Sequence, residues 1–144
     1  MRPTIHVVAT TADGTRAALG AAVSMAKGSD GKLVLLVPRI VSYAGPSSAA
    51  DGSTAWFVEQ YRRTLHDLNA AADTEVFVCR TPGEIVAQLV AFRSIVVVGG
   101  PAGRWLTSPE QRFVNQLTRA GCQAVFVASG TNTTQRRVAP AVAA

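Results

Sequence analysis

Charge is scarce in this 144-residue chain, where Asp, Glu, Lys and Arg together make up 16%. Aromatic residues are scarcer still at 6%, and there are only two cysteines, two histidines and two lysines, Lys27 and Lys32. These shortages exclude several classes of protein. With 48% hydrophobic residues, the chain is not a disordered one, which would combine low hydrophobicity with high charge. No apolar run approaches the ~18 residues that cross a bilayer; the longest, 32–41 and 95–100, have strand length, so no membrane association is expected. Cys79 and Cys122 have no C-x-x-C spacing and read as small buried hydrophobes. His6 lies in the first apolar run and His66 on the polar side of a helix, with no third ligand near either, so no metal is expected. The first residues lead directly into a strand pattern, without an apolar leader. The cytoplasm is the expected compartment.

The net charge of +5 is carried mostly by arginine and spread along the chain. Basic residues adjoin only as the pairs Arg62-Arg63 and Arg136-Arg137, and aromatics do not interleave with basic residues. Nucleic acid is therefore not an expected partner, since its binding needs a stripe or a stacking platform.

What the chain does have is alternation. Apolar, β-branched runs of strand length at 5–9, 32–41, 75–79, 94–98 and 123–128 are separated by segments of helical periodicity, the pattern of a parallel sheet covered on both faces. After the first strand, 10–14 reads as a turn and Thr15 as the N-cap of a helix running to about Lys27. Leu19, Ala22, Val23 and Ala26 form that helix's stripe, and Gly28 and Gly31 end it. Residues 42–53, rich in Ser, Gly, Pro and Ala, read as a flexible connection. The helix expected over 54–71 has Phe57, Tyr61, Leu65 and Leu68 on one face and Glu59, Arg63 and Asp67 on a solvated one. Thr81-Pro82-Gly83-Glu84 opens a third helix with a cap, a proline and a capping-box glutamate. Ser108-Pro109-Glu110-Gln111 repeats this logic for a fourth, over 109–119. Residues 1–130 form one domain, and 131–144 a tail.

In such a sheet, ligands bind at the carboxyl ends of strands, where the strand order reverses. Four segments reach that edge: 10–15, 39–43, 80–83 and 99–108. In the last, Gly99, Gly100 and Gly103 either admit a ligand close to the backbone, with anion-binding amides at the next helix, or simply turn the chain. Arg39, Arg80 and Arg104 follow strand ends. They make that edge cationic and suited to a small anion if they converge, and are solvated surface groups if they do not. The chain has no G-x-x-x-x-G-K-[ST], no G-x-G-x-x-G after the first strand and no G-x-S-x-G, so the common phosphate, dinucleotide and hydrolase signatures are missing. Asp13 is the one carboxylate near the first turn, and no acid/base pair emerges.

Taken together, these segments resemble the universal stress protein family. The resemblance rests on Thr15-Arg16-Ala17-Ala18-Leu19 at the first helix, on the second strand, and on Thr81-Pro82-Gly83-Glu84-Ile85. It is carried furthest by 94–128, with Val98-Gly99, Gly103-Arg104, Cys122 and 125–127. It implies a doubly wound five-stranded parallel α/β sheet in the order 3-2-1-4-5, a homodimer through the last strand, Gln123–Ala128, and an ATP site between the loops after strands one and four. In that site the family's acidic residue falls on Thr10, with Asp13 displaced. Gly100-Pro101-Ala102-Gly103 matches the first half of the nucleotide motif. Counted back from Cys122, its Gly-Ser place falls on Glu110-Gln111.

The expectation that follows is a non-catalytic binding or regulatory module of the stress response, without a cofactor and without tight ATP binding. The ligand edge, if used, would comprise Thr10, Asp13, Arg39, Gly99, Gly100, Gly103, Arg104 and Ser108. Two alternatives stand beside it: an ATP- or AMP-binding protein using an altered loop, and a small enzyme acting on an anionic substrate.

Overall fold

The computed structural model describes residues 3–40, 48–101 and 108–129. The segments 42–47 and 131–144 assigned above to the connection and the tail, and the residues Gly103 and Arg104, lie outside them. Among the described residues five strands and four helices alternate: β1 Thr4–Val8, α1 Ala12–Ser29, β2 Lys32–Ile40, α2 Ser48–Asp67, β3 Asp73–Cys79, α3 Pro82–Phe92, β4 Ile95–Gly100, α4 Pro109–Arg119 and β5 Gln123–Ala128. All strand pairs are parallel, in the order β3-β2-β1-β4-β5. This is the architecture expected from the sequence.

The two faces of the sheet are filled by alternate residues of the same strands. Ile5, Val7, Leu33, Leu35, Val37 and Val97 pack under α1 and α2 with Ala18, Leu19, Ala22, Tyr61 and Leu65. Val8, Leu36, Val96 and Val98 pack under α3 and α4 with Ile85, Leu89, Val114 and Leu117. The central strands β1, β2 and β4 are apolar on both sides, which is why they read as continuous runs. β3 and β5 are edges, and Val78 (54% exposed) and Val125 (39%) show it. The thiols of Cys79 and Cys122 are free, and burial pushes both up from their ordinary pKa.

Three elements depart most from their expected bounds. Helix α1 begins at Ala12, because Thr11, not Thr15, is its N-cap: the Thr11 hydroxyl accepts from the Gly14 amide at 3.0 Å. Thr15 is fully buried, and its hydroxyl accepts instead from the Thr10 amide at 2.8 Å. The same helix runs through Gly28 to a cap at Asp30, which takes the left-handed φ of 54°, a conformation an Asp tolerates better than most residues. Helix α2 starts at Ser48 and ends at Asp67, so it takes up part of the segment read as connection and stops short of Ala71.

The ends of the other helices follow the sequence. At α3, the Glu84 carboxylate accepts from the amides of Arg80 and Thr81 at 2.8 and 2.9 Å. These bonds, Arg80's foremost, hold its pKa below the usual glutamate range. At the end of α4, Gly121 adopts φ 100° and the Cys122 amide reaches back to the Leu117 carbonyl at 2.9 Å, a Schellman closure.

Gly99 and Gly100 are the third difference: they belong to β4, not to a loop. A β-carbon on Gly99 would fall within the carbonyl of Gly14, and one on Gly14 would fall on the carbonyl of Gly99. The first turn of α1 therefore lies backbone to backbone on the end of β4. Gly99→Ala is expected to destabilise the chain by about 3 kcal/mol, at the upper end of the range for overpacking, because rigid backbone must give. Gly20→Ala, in α1 with open space around it, is expected to stabilise by about 0.5–1 kcal/mol. Urea unfolding of the two variants measures both.

Candidate functional site

The strand order reverses between β1 and β4, so the ligand position of this architecture lies between the carboxyl ends of those two strands. The residues there are the 10–15 turn, Gly99 and Gly100, and the start of α4. Their backbone groups are largely committed to one another. Thr10 donates its amide to Thr15 Oγ1 and its hydroxyl to the Gly99 carbonyl at 2.7 Å. The Gly14 amide goes to Thr11 Oγ1 and the Thr15 amide to the Thr11 carbonyl. The Gly100 carbonyl accepts from the Ser129 amide at 2.8 Å.

The opening of α4 is closed in the same way. Ser108 is buried; its hydroxyl accepts from the Gln111 amide at 3.1 Å and its carbonyl from the Arg112 amide at 2.9 Å. Pro109 has no N–H to offer. Glu110 folds over Gly100: a β-carbon on that glycine would sit 2.7 Å from Glu110 Cβ and 3.0 Å from its carboxyl carbon. Carboxylate atom Oε1 of Glu110 is buried with no hydrogen-bond partner among the described residues. The Glu110 side chain, in the first turn of α4, thus lies against the last glycine of β4.

Of the remaining candidates, Asp13 and Arg80 lie away from this point. Asp13 is 83% exposed and pairs with Arg16 at 3.4 Å, an i,i+3 pair on the surface of α1. Arg39 is half-buried at the end of β2 and Arg80 is exposed just after β3. With strands ~4.8 Å apart, β3 lies roughly 14 Å from β4, so Arg80 does not share a crevice with Thr10, Gly99 and Ser108. Among the described residues no group of three His, Cys, Asp or Glu side chains could hold a metal. A surface hollow of about 280 Å³ lies at the opposite end of the sheet, beside Lys27, Asp30 and Asn69.

Gly14 is the residue of this region that the sequence reading passed over. A glycine in the first turn of a helix, with a second at the end of a neighbouring strand, is a signal of close backbone approach, but only once the two elements are known to touch. His6 is the other: it reads as one residue of an apolar strand, yet its ring sits in a buried polar cluster with Ser94.

No family model and no curated protein matches the chain. Solved structures do match. The universal stress protein UspA from Lactobacillus plantarum superposes with a TM-score of 0.64 at 19% identity, over 88% of this chain and 99% of that one. The chain has the universal stress protein fold. A universal stress protein family protein from Arabidopsis thaliana, solved with AMP bound, gives 0.60 at 16% identity over 90% and 93%. A universal stress protein in complex with cAMP gives 0.63 at 14% identity over 90% and 98%. The resemblance carried by the sequence motifs and the likeness of the folds therefore agree.

Ser108→Ala removes the α4 cap while leaving the universal stress protein fold's other contacts in place. It is expected to cost about 1 kcal/mol, read as a lower urea midpoint at unchanged slope.

Proposed function

We propose that this chain is a divergent universal stress protein: a non-catalytic binding and regulatory module of the stress response that neither hydrolyses ATP nor binds it tightly. The observation that carries this reading is the Glu110 side chain laid over Gly100. A triphosphate at the start of α4 needs open amides and the positive end of the helix. Here Ser108 takes one amide, Pro109 lacks one, and Glu110 brings a negative charge to the place an anion would take. The commitment of the 10–15 turn to its own bonds and to β4 supports the same reading. Catalysis has little to work with at this edge, since Asp13 is solvated away from it and Glu110 has no titratable partner there in the described residues.

A second reading, nucleotide binding without a triphosphate seat, is favoured by the two neighbours solved with AMP and cAMP. Each of those ligands carries a single phosphate, so a closed α4 start bears less on them. Arg39, with Arg104, would supply the charge.

Calorimetric titration with ATP and AMP, together with mass spectrometry of ligand released from the purified protein, separates the two. The expected result is no ATP binding at micromolar concentration, and micromolar binding would overturn the proposal. AMP binding alone would move the assignment to the second reading. Glu110→Ser is expected to raise weak affinity for inorganic phosphate a few-fold, in line with the ~0.3–1 kcal/mol that a charge at a helix N-terminus is worth.

The module is further proposed to act in the cytoplasm as a homodimer through β5. No helix of the described residues is long and apolar enough to cross a membrane. β5 is an edge strand with no fully buried residue, and Val125 is exposed on it. Val125→Lys, a charge on an edge strand, is expected to turn a dimer into a monomer by light scattering. A wild-type monomer at high micromolar concentration would overturn the dimer.

A further inference from the structure

His6 stands apart from the carboxyl edge and is used by nothing described so far. It is the third residue of β1, in register with Val34 of β2 and Val96 of β4, and is 4% exposed. Its Nδ1 lies 2.6 Å from Ser94 Oγ. Its ring stacks on Phe92, centroids 4.5 Å apart and planes 5° from parallel. Its Nε2 lies 3.8 Å from Glu75 Oε1 on β3, too far for a hydrogen bond but close enough to feel the charge. One imidazole thus touches β1, β3 and the joint between α3 and β4.

The tautomer follows from the surroundings. A carboxylate beside Nε2 favours a proton on that nitrogen, which leaves Nδ1 as the acceptor of the Ser94 hydroxyl. The same three residue types serve nucleophilic hydrolysis elsewhere, but Ser94 is buried and follows the C-terminal end of α3. The negative end of that helix would oppose an oxyanion.

We propose that His6 is a proton-sensitive clamp: while its ring is neutral it holds Phe92 and Ser94, the end of α3, against the sheet, and protonation releases them. A proton on Nδ1 turns that nitrogen into a donor, so the Ser94 hydroxyl must accept where it donated and its own proton loses that partner. It also places a full charge among apolar side chains. The charged groups facing the ring are Glu75 from β3 and Lys32 from the start of β2, the latter paired with Asp73 at 3.2 Å. Its β4 neighbour Val96 is uncharged, and Arg93 on the α3 side is exposed. Burial lowers the ring's pKa below 6.5, Glu75 works against that and Lys32 with it.

The sign of the pH effect follows. Above about pH 6.5 the ring is neutral in the closed and open forms alike, and the clamp is complete. As pH falls below that value the open form takes up a proton that the closed form does not, so closure weakens until the lower pKa of the closed form is passed. Below that, nothing further is lost.

NMR titration of the His6 ring, with amide hydrogen exchange at the end of α3 between pH 5 and 8, tests this on the whole chain. The Arg93 amide, bonded to the Val90 carbonyl at 3.3 Å, is a suitable reporter. His6 is expected to titrate below 6.5, and the opening constant at Arg93, corrected for intrinsic exchange, to rise about tenfold per pH unit below that value. The paired variant His6→Phe with Ser94→Ala removes both polar partners together and is expected to abolish that slope. Glu75→Gln, at an exposed carboxylate, is expected to move the His6 titration further down. Titration of His6 at or above 6.5, an equal slope in the paired variant, or no downward movement in Glu75→Gln would each overturn the clamp.

Discussion

The contact between Gly14 and Gly99 is the constraint from which the carboxyl edge of the sheet takes its form. Two backbones can meet this closely only where neither carries a β-carbon, and here both residues lack one. The contact lets α1 descend onto the middle of the sheet, where Ala18 and Ala22 keep it low and Leu19 fills the gap between β1 and β4. It also dictates the turn before the helix. With Gly14 against β4, Thr15 is driven inside, and its hydroxyl has one nearby donor to satisfy, the Thr10 amide. Thr10 in turn reaches across to the Gly99 carbonyl. Cap, turn and strand end form one connected unit at the ligand position of this architecture.

The start of α4 obeys the same economy of donors. Each amide that Ser108 satisfies, and the one that Pro109 lacks, makes the helix end more stable and less able to take an anion. Glu110 adds to both effects, because a carboxylate in a first turn favours the helix dipole and repels a phosphate. The stabilising arrangement and the ligand-binding arrangement are alternatives built from the same few backbone groups. That opposition is the usual trade between stability and activity.

The parts of the fold legible in the sequence are those set by local chemistry. α4 and β5 fall where the Ser-Pro-Glu cap and Gly121 place them, and α3 follows its capping box. What stayed hidden depends on a neighbour distant in sequence. Thr11 and Thr15 are both competent caps, and the choice is made by burial of Thr15 under the sheet. Gly99 and Gly100 carry the composition of a loop, and only Gly14 and Glu110 lying against them make a strand end of glycines sensible. Gly28 looks like a helix stop, yet Asp30 takes the left-handed position instead. Arg39 and Arg80 were visible as residues at strand ends, but the distance of Arg80 from β4 depends on strand order, which no spacing along the chain reveals.

The buried polar side chains bear on why this sheet has one register. Val, Leu and Ile line the central strands almost interchangeably, so sliding β1 by two residues past β4 would keep apolar groups on apolar groups and cost little in burial. His6 and Thr10 remove that freedom. His6 meets Ser94 at one end of the β1–β4 pair, and Thr10 meets Gly99 at the other. A slip would leave a buried imidazole and a half-buried hydroxyl unpaired, which costs more than the small loss of apolar contact. The two polar contacts thus fix the alignment that brings Gly99 opposite Gly14. The backbone contact that closes the carboxyl edge depends on a register pinned, at its far end, by a group that titrates.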